Sequence, residues 1–360
     1  MTKVFFAGGG TAGHVEPALA VARTWRVKNP NDQIVFFGTS TGLETRLVPE
    51  AGFELSLITK VRISRSLSPS LLLAPLSLIR SVQQCFAALD GADLLVGFGG
   101  YVSAPAYIAA LLRRIPIVIH EANARPGIAN KLGALFTQYL ATTYDISSGR
   151  LSHALIAGLP LKENIVSTFE KAKINWISAR AGAKKSLGFN ENLPLIFVFG
   201  GSQGSVAINS VIEKSRSALG SQKIQVLHSV GSKNSLPFSD SMYMSSHYIS
   251  DMATAYLAAD IIISRSGAVS CAEINTLGKY ALFIPLPVGN GEQELNAQSL
   301  VDQGRAEVIA QKDFTASWLE QNLNRLIEFS KNAPIEGSEQ DIVAASKIAA
   351  LMEFALSGGK

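Results

Sequence analysis

Two stretches half a chain apart repeat one pattern. Residues 4–22, VFFAGGGTAGHVEPALAVA, and residues 196–212, IFVFGGSQGSVAINSVI, each run from an apolar strand through a glycine loop into a helix. A short, wholly apolar strand has both faces covered. When it passes through glycines directly into a helical period, it opens a βα unit on a parallel sheet. Two such openings in 360 residues call for two sheets, and single hydrophobic cores stop growing beyond about 250–300 residues in any case.

Apolar, β-branched runs at 3–7, 33–39, 53–58, 93–98, 116–120, 139–143 and 154–157 predict the strands of the first half, with helices over 17–28, 43–51, 70–89, 104–114 and 127–135. Residues 158–192 are more charged and less periodic, and the alternation restarts at Leu193. Further strands follow at 195–199, 225–229, 261–264, 281–285 and 306–309. The expected class is α/β, with two Rossmann-like doubly wound domains, 1–160 and 161–340, facing across a cleft. A last helix over 341–357 is left to either domain by its pattern, with a return to the N-terminal domain as one reading. Ligands of such sheets sit at the C-terminal ends of the strands.

Charge excludes some functions. The chain has 32 Lys+Arg against 28 Asp+Glu, a net +4, which is too small and too dispersed for a phosphate-tracking surface, so no nucleic-acid partner is expected. Charged residues are 17% of the chain and hydrophobic ones 47%, against about 25% charged in an ordinary soluble domain. Disorder is excluded, and there is room for an apolar surface. Cys85 and Cys271 cannot form a disulfide framework or a four-ligand zinc site. The N-terminus, MTKVFFAGGG, lacks a signal-peptide apolar region, and no apolar stretch reaches the roughly 20 residues of a spanning helix. Retention on the cytoplasmic side is the expectation.

Gly8, Gly10 and Gly13 satisfy GxGxxG after a strand, but a dinucleotide site needs an acid at the end of the second strand. That strand ends Phe37-Gly38-Thr39-Ser40, with no acid before Glu44. What remains is a loop of backbone N–H groups at a helix start, suited to phosphate or pyrophosphate, or simply a tight turn. His14 lies in it, where the helix dipole would keep the ring neutral, as a general base requires. His120, Glu121 and Asn123 follow the apolar run at 116–119; they lack a third ligand for a metal and read as a sugar- or peptide-binding cluster. Gly200-Gly201-Ser202-Gln203-Gly204-Ser205 is a second phosphate cradle. The stretch from Ser264 to Glu273 runs from strand to helix and places Glu273 to accept from a vicinal diol such as a ribose. Residues 289–296, GNGEQELN, suit sugar hydroxyls. Neither DxD nor a Walker loop occurs, so leaving-group charge falls to backbone N–H groups, a helix dipole and Arg265. No metal and no cofactor is expected. From Leu55 to Leu89 there is no Asp or Glu, while Lys60, Arg62, Arg65 and Arg80 stand among Leu71, Leu72, Leu73 and Leu76. Such a stretch suits anionic lipid headgroups; the alternative is a loop and an ordinary amphipathic core helix.

Taken in order and spacing, GGGTAGHVEPALA, FGGYVSAPA, HEANARPGIANK, GGSQGS, SRSGAVSCAEI and PLPVGNGEQELNA closely resemble the MurG family, the N-acetylglucosaminyltransferases of glycosyltransferase family 28. The resemblance covers nearly the whole chain. It implies the GT-B fold and inverting, metal-independent transfer of GlcNAc from UDP-GlcNAc to the MurNAc 4-hydroxyl of lipid I, forming lipid II in peptidoglycan synthesis. It also implies peripheral attachment to the anionic cytoplasmic face of the plasma membrane, and cell-wall synthesis and division proteins as partners. Carried over by motif, Thr11, Ala12, Gly13 and Asn123 meet the donor sugar and the acceptor side, Ser202 the diphosphate and Ile249 the uracil. Ala268, Val269, Ser270, Cys271, Ala272 and Glu273 hold the nucleoside, with Glu273 on the ribose, and Gln293 binds GlcNAc hydroxyls. His14 is the preferred base, with Glu121 second. One departure stands out: the family's Gly-Asn-Pro-Val-Arg appears as Gly158-Leu159-Pro160-Leu161-Lys162, which offers the donor phosphate a point charge in place of an arginine fork. The rival enzyme class is a UDP-GlcNAc 2-epimerase, which needs no lipid acceptor. A bilobal sugar-binding protein is the non-enzymatic rival.

Overall fold

The computed structural model of the chain describes residues 1–61, 74–201 and 203–358. Arg62, Arg65, Leu71–Leu73 and Ser202 lie outside the described residues. The rest divides into two compact units, 1–162 with 340–358, and 163–339.

The first unit runs β1 (Lys3–Gly8), α1 (Ala12–Lys28), β2 (Gln33–Gly38), α2 (Glu44–Glu50), β3 (Glu54–Leu57), α3 (Ala74–Ala88), β4 (Leu94–Gly99), α4 (Ser103–Arg113), β5 (Ile117–Glu121), α5 (Ile128–Gly133), β6 (Tyr139–Thr142) and β7 (Leu155–Ile156). All its strand pairs are parallel, in the order β3-β2-β1-β4-β5-β6-β7. The order reverses at β1, so the crevice at the ends of β1 and β4 is the switch point. Because helices cover both faces, the strands are apolar on both sides. Phe6 and Phe36 stack in one layer, and Phe5 and Phe37 in the other.

The second unit runs α6 (Glu163–Ala172), α7 (Trp176–Ser186), β8 (Leu195–Phe199), α8 (Val206–Lys214), α9 (Arg216–Ser221), β9 (Gln225–Ser229), β10 (Tyr243–Ser246), α10 (Met252–Ala258), β11 (Ile261–Ser264), α11 (Ala268–Thr276), β12 (Tyr280–Phe283), α12 (Glu292–Asp302), β13 (Ala306–Val308) and α13 (Ala316–Asn332). Its parallel order, β10-β9-β8-β11-β12-β13, reverses at β8. β8 therefore occupies in this sheet the place β1 has in the first, as the repeated sequence pattern requires.

The crossover out of the first unit follows Lys162 because Leu159 and Leu161 are buried in that unit. The last helix, α14 (Ala344–Leu356), lies on α1 and buries Ile348 and Met352 completely, each contributing about 1.5–3 kcal/mol. Asp341, at the head of this segment, accepts a hydrogen bond from Leu159 N at 2.7 Å. α1 begins at Ala12, five residues before the start expected at Pro17, because His14 N and Val15 N already donate to Thr11 O at 3.1 and 3.2 Å. Ala12, Gly13 and His14 therefore form the first helical turn and are not part of the loop. β10 was not expected; its Tyr-Met-Ser-Ser sequence has little strand character and is held by pairing to β9.

Candidate active site

In the first unit the loops after β1 and β4 meet at the switch point. Gly99 and Gly100 have φ of +86° and +83°, and a Cβ on Gly100 would stand 2.4 Å from Gly9 O and 3.3 Å from His14 Nδ1. Only glycine permits that approach. The His14 ring is half-buried, its Nδ1 3.1 Å from Thr11 Oγ1. Burial lowers its pKa below 6.5, opposed by the charge of Glu121, a hydrogen bond to the Gly9 backbone and the charge of Glu44. α1 has no acid in its first turn and no side-chain cap on Thr11, which leaves its N-terminus electropositive.

Of the cluster at the C-terminal end of β5, two side chains point away from solvent. His120 is fully buried, its Nε2 2.9 Å from Gly158 O, and burial pushes its pKa down to about 4. Glu121 is 3% exposed and accepts four hydrogen bonds. Oε1 receives Asn123 N at 2.9 Å and Asn123 Nδ2 at 3.2 Å; Oε2 receives Gly127 N at 3.0 Å and Asn130 Nδ2 at 2.9 Å. Asn130 in turn accepts from the Tyr107 hydroxyl at 2.7 Å. A carboxylate so engaged braces the 122–130 loop. Asn123 is half-buried at the mouth of this loop.

Sequence reasoning did not single out Glu44, Thr39 or Tyr101 as a group, yet they meet under the first glycine loop. Glu44 is 0% exposed and accepts from Gly10 N and Thr39 N, both at 3.0 Å, and from the hydroxyls of Thr39 at 3.3 Å and Tyr101 at 3.2 Å. The acid absent from the end of β2 thus enters one turn later and takes a loop N–H that a dinucleotide phosphate would need. Tyr101, directly after β4, was detectable by the strand-end rule alone.

In the second unit the loop after β8 ends in Ser205, which caps α8 by accepting from Ile208 N. Arg265, expected to meet leaving-group charge directly, is instead built into the loops. Its guanidinium donates to Ile284 O, Pro285 O, Ser205 Oγ and Gln311 Oε1 at 2.6–3.0 Å. α11 carries the nucleoside-site candidates. Ala268, Cys271 and Ala272 are buried, Val269 and Ser270 half-buried, and Glu273 is 4% exposed with the Tyr256 hydroxyl as a hydrogen-bond partner. The Cys271 thiol sits in the core and burial raises its pKa, so any contact from this residue to a ligand would come from its backbone. Ile249 is half-buried in the loop before α10. Gln293 lies in the first turn of α12, its Oε1 accepting from Leu286 N at 3.0 Å. Lys162 pairs with Glu16 of α1 at 3.0 Å, within the first unit. Among the described residues no group of three or more His, Cys, Asp or Glu side chains could hold a metal ion.

Two doubly wound units, each opening at its switch point on a glycine loop and a helix N-terminus, have the GT-B architecture. The glycosyltransferase family 28 N-terminal domain model matches residues 4–142 and the C-terminal domain model residues 195–352. A Streptomyces coelicolor protein named UDP-N-acetylglucosamine–N-acetylmuramyl-(pentapeptide) pyrophosphoryl-undecaprenol N-acetylglucosamine transferase is 42% identical over 92% of both chains. The chain belongs to glycosyltransferase family 28. Among solved structures, Acinetobacter baumannii MurG matches with a TM-score of 0.74 at 24% identity, over 98% of this chain and 99% of its own. A Neisseria meningitidis UDP-GlcNAc 2-epimerase matches at 0.62 and 14%, over 98% and 100%. The fold is thus common to both enzyme classes weighed from sequence, and it is the sequence relatives that separate them.

Proposed function

We infer that this chain is the UDP-N-acetylglucosamine:lipid I N-acetylglucosaminyltransferase of peptidoglycan synthesis. It transfers GlcNAc from UDP-GlcNAc to the MurNAc 4-hydroxyl of undecaprenyl-pyrophosphoryl-MurNAc-pentapeptide, forming lipid II. The epimerase alternative loses its support, since relatives at 40–42% identity over most of their length carry the transferase name.

For the mechanism, the observation that carries the reading is His14, a ring desolvated enough to stay neutral at the N-terminus of α1. The acceptor hydroxyl gives its proton to His14 while its oxygen bonds to the anomeric carbon. The bond from that carbon to the diphosphate oxygen breaks on the opposite face, so configuration inverts and UDP leaves. The N–H groups of Thr11, Ala12 and Gly13 suit the acceptor's pyrophosphate, and Asn123 its sugar. On the donor side, the loop with Ser202 and the N-terminus of α8 receive the diphosphate charge without a metal. Arg265 holds this loop in shape. Glu273 takes the ribose hydroxyls, Gln293 the GlcNAc hydroxyls through its amide N–H, and Ile249 packs on uracil, with Ala268 to Ala272 lining the nucleoside. Lys162, paired with Glu16, has no assigned donor contact. His14→Ala should lower kcat by about 10²–10⁴-fold; near-normal turnover at saturating substrate would remove His14 from the role. Glu273→Ala should weaken UDP-GlcNAc binding by about 10–100-fold, as loss of charged hydrogen bonds does, and unchanged affinity would remove Glu273.

The substrate is held in a bilayer, and no helix among the described residues is long and apolar enough to cross one. We place the docking face on the first unit. Leu76, Ile79 and Arg80 of α3 and Leu112 of the packed neighbour α4 are exposed. Apolar side chains bordered by cations suit the anionic cytoplasmic leaflet, where cell-wall synthesis and division proteins would meet the enzyme. Ile79→Asp with Arg80→Glu should reduce sedimentation with anionic vesicles; equal binding would move the docking face elsewhere.

A further inference from the structure

The buried Glu44 carboxylate has a consequence for His14, 30 residues earlier in the chain. Its Oε2 holds Gly10 N. Among the described residues no peptide bond is cis, and in a trans peptide the C=O points opposite to the N–H. Holding Gly10 N–H toward Glu44 therefore turns the Gly9 carbonyl the other way, to the side where the His14 ring lies. Gly9 O and His14 Nδ1 both crowd the empty Cβ position of Gly100, which brings the carbonyl beside that ring nitrogen; the other neighbour of Nδ1 is Thr11 Oγ1 at 3.1 Å. A carbonyl only accepts, so it favours the proton on the nitrogen beside it, and the Thr11 hydroxyl can accept from the same N–H. Nε2 is then the nitrogen with a free lone pair.

The peptide is fixed from both sides. Gly10 has φ +96°, and a Cβ there would stand 2.5 Å from the Tyr101 ring. The Tyr101 hydroxyl and Thr39 close the other side of the Glu44 carboxylate. The two backbone donors, Gly10 N and Thr39 N, use different carboxylate oxygens. An amide offers one oxygen and cannot serve both.

We propose that Glu44 is a positioning residue for the transfer reaction, holding the Gly9–Gly10 peptide so that its carbonyl fixes His14 as the Nδ1–H tautomer with Nε2 directed to the acceptor hydroxyl. The proposal rests on His14 as base, but its direct readout does not. The tautomer is read by NMR of the full-length protein labelled with ¹⁵N-histidine, with His14 assigned from the signals lost in His14→Asn. The wild type should show Nδ1 protonated and Nε2 bare at pH 8. In Glu44→Gln the ring should lose this preference and kcat should fall about tenfold or more, with KM for UDP-GlcNAc unchanged. Glu44→Asp, which keeps the charge but retracts it by one methylene, should do the same to a smaller degree. A wild-type ring protonated on Nε2 overturns the proposal without any variant. So does a folded Glu44→Gln protein whose His14 remains Nδ1–H. A changed tautomer at unchanged kcat supports the positioning by Glu44 and refutes His14 as base, so the two failures are distinguishable.

Discussion

Replacing Glu121 by Gln separates a proton acceptor from a structural brace. The wild-type carboxylate receives two donors on each oxygen, one of them a backbone N–H in each case. Glutamine keeps one oxygen, so in either orientation its NH₂ faces one backbone N–H and one asparagine amide. Asn130 cannot flip to compensate, because its Oδ1 already accepts from Tyr107 and its Nδ2 also donates to His120 O. Of these donors only Asn130 Nδ2 is fully buried and the other three are part-buried, so the two left without acceptors fall at the low end of about 1–3 kcal/mol each. The expected loss is about 2 kcal/mol, or roughly 4–8 °C in the melting of a unit of this size. Thermal and urea unfolding of Glu121→Gln measure it, and UDP-GlcNAc affinity serves as a control on the second unit, which should not change. Activity should fall with the disordering of residues 122–130 and recover in part at low temperature. If Glu121→Gln melted with the wild type and yet lost turnover about 100-fold at every temperature, the brace argument would be refuted and Glu121 would be the base.

Further outcomes follow from the same geometry. A neutral ring is the base and is lost by protonation as pH falls, so the lowered pKa of His14 puts the acid limb of kcat/KM below pH 6.5; a limb at or above 6.5 in the pH–rate profile contradicts the environment assigned to the ring. Burial raises the Asp341 carboxyl to about 6 from an ordinary 3.8, so the folded state binds its proton more tightly and stability falls as pH rises through that window. Asp341→Asn should therefore stabilise the first unit by up to about 3 kcal/mol above pH 7 and by nothing below pH 4; a gain independent of pH in denaturant titrations would rule out the charge as its cause.

The parts of the fold that local rules govern were legible. β1 and β8 announce themselves because a buried parallel strand must be apolar on both faces and its helix must begin at glycines. Both sheets, and the strand ends that carry the site, follow from that rule. β10 is not legible, since Tyr243–Ser246 becomes a strand only by pairing with β9, a tertiary effect with no local signature. Pro17 reads as a first-turn proline, whereas the first turn of α1 closes on Thr11 O upstream of it. At the site, residue types were legible and orientations were not. His120 and Glu121 look like solvent-facing polar groups at a strand end, and only the covered sheet and the folded-back 122–130 loop show where they point. Arg265 looks like an anion ligand until its four neutral acceptors are counted. Glu44 was visible as an acid too late for a ribose, but its partner Gly10 comes within reach only because β1 and β2 are neighbours.

Incubating the purified chain with radiolabelled UDP-GlcNAc, with and without a lipid I analogue and with and without EDTA, separates a transferase from an epimerase. Label should enter the lipid fraction only when lipid I is present, as a β-linked disaccharide, in equal amount with the chelator. Conversion of UDP-GlcNAc to its 2-epimer in the absence of lipid, with no label in the lipid fraction, would contradict the transferase reading.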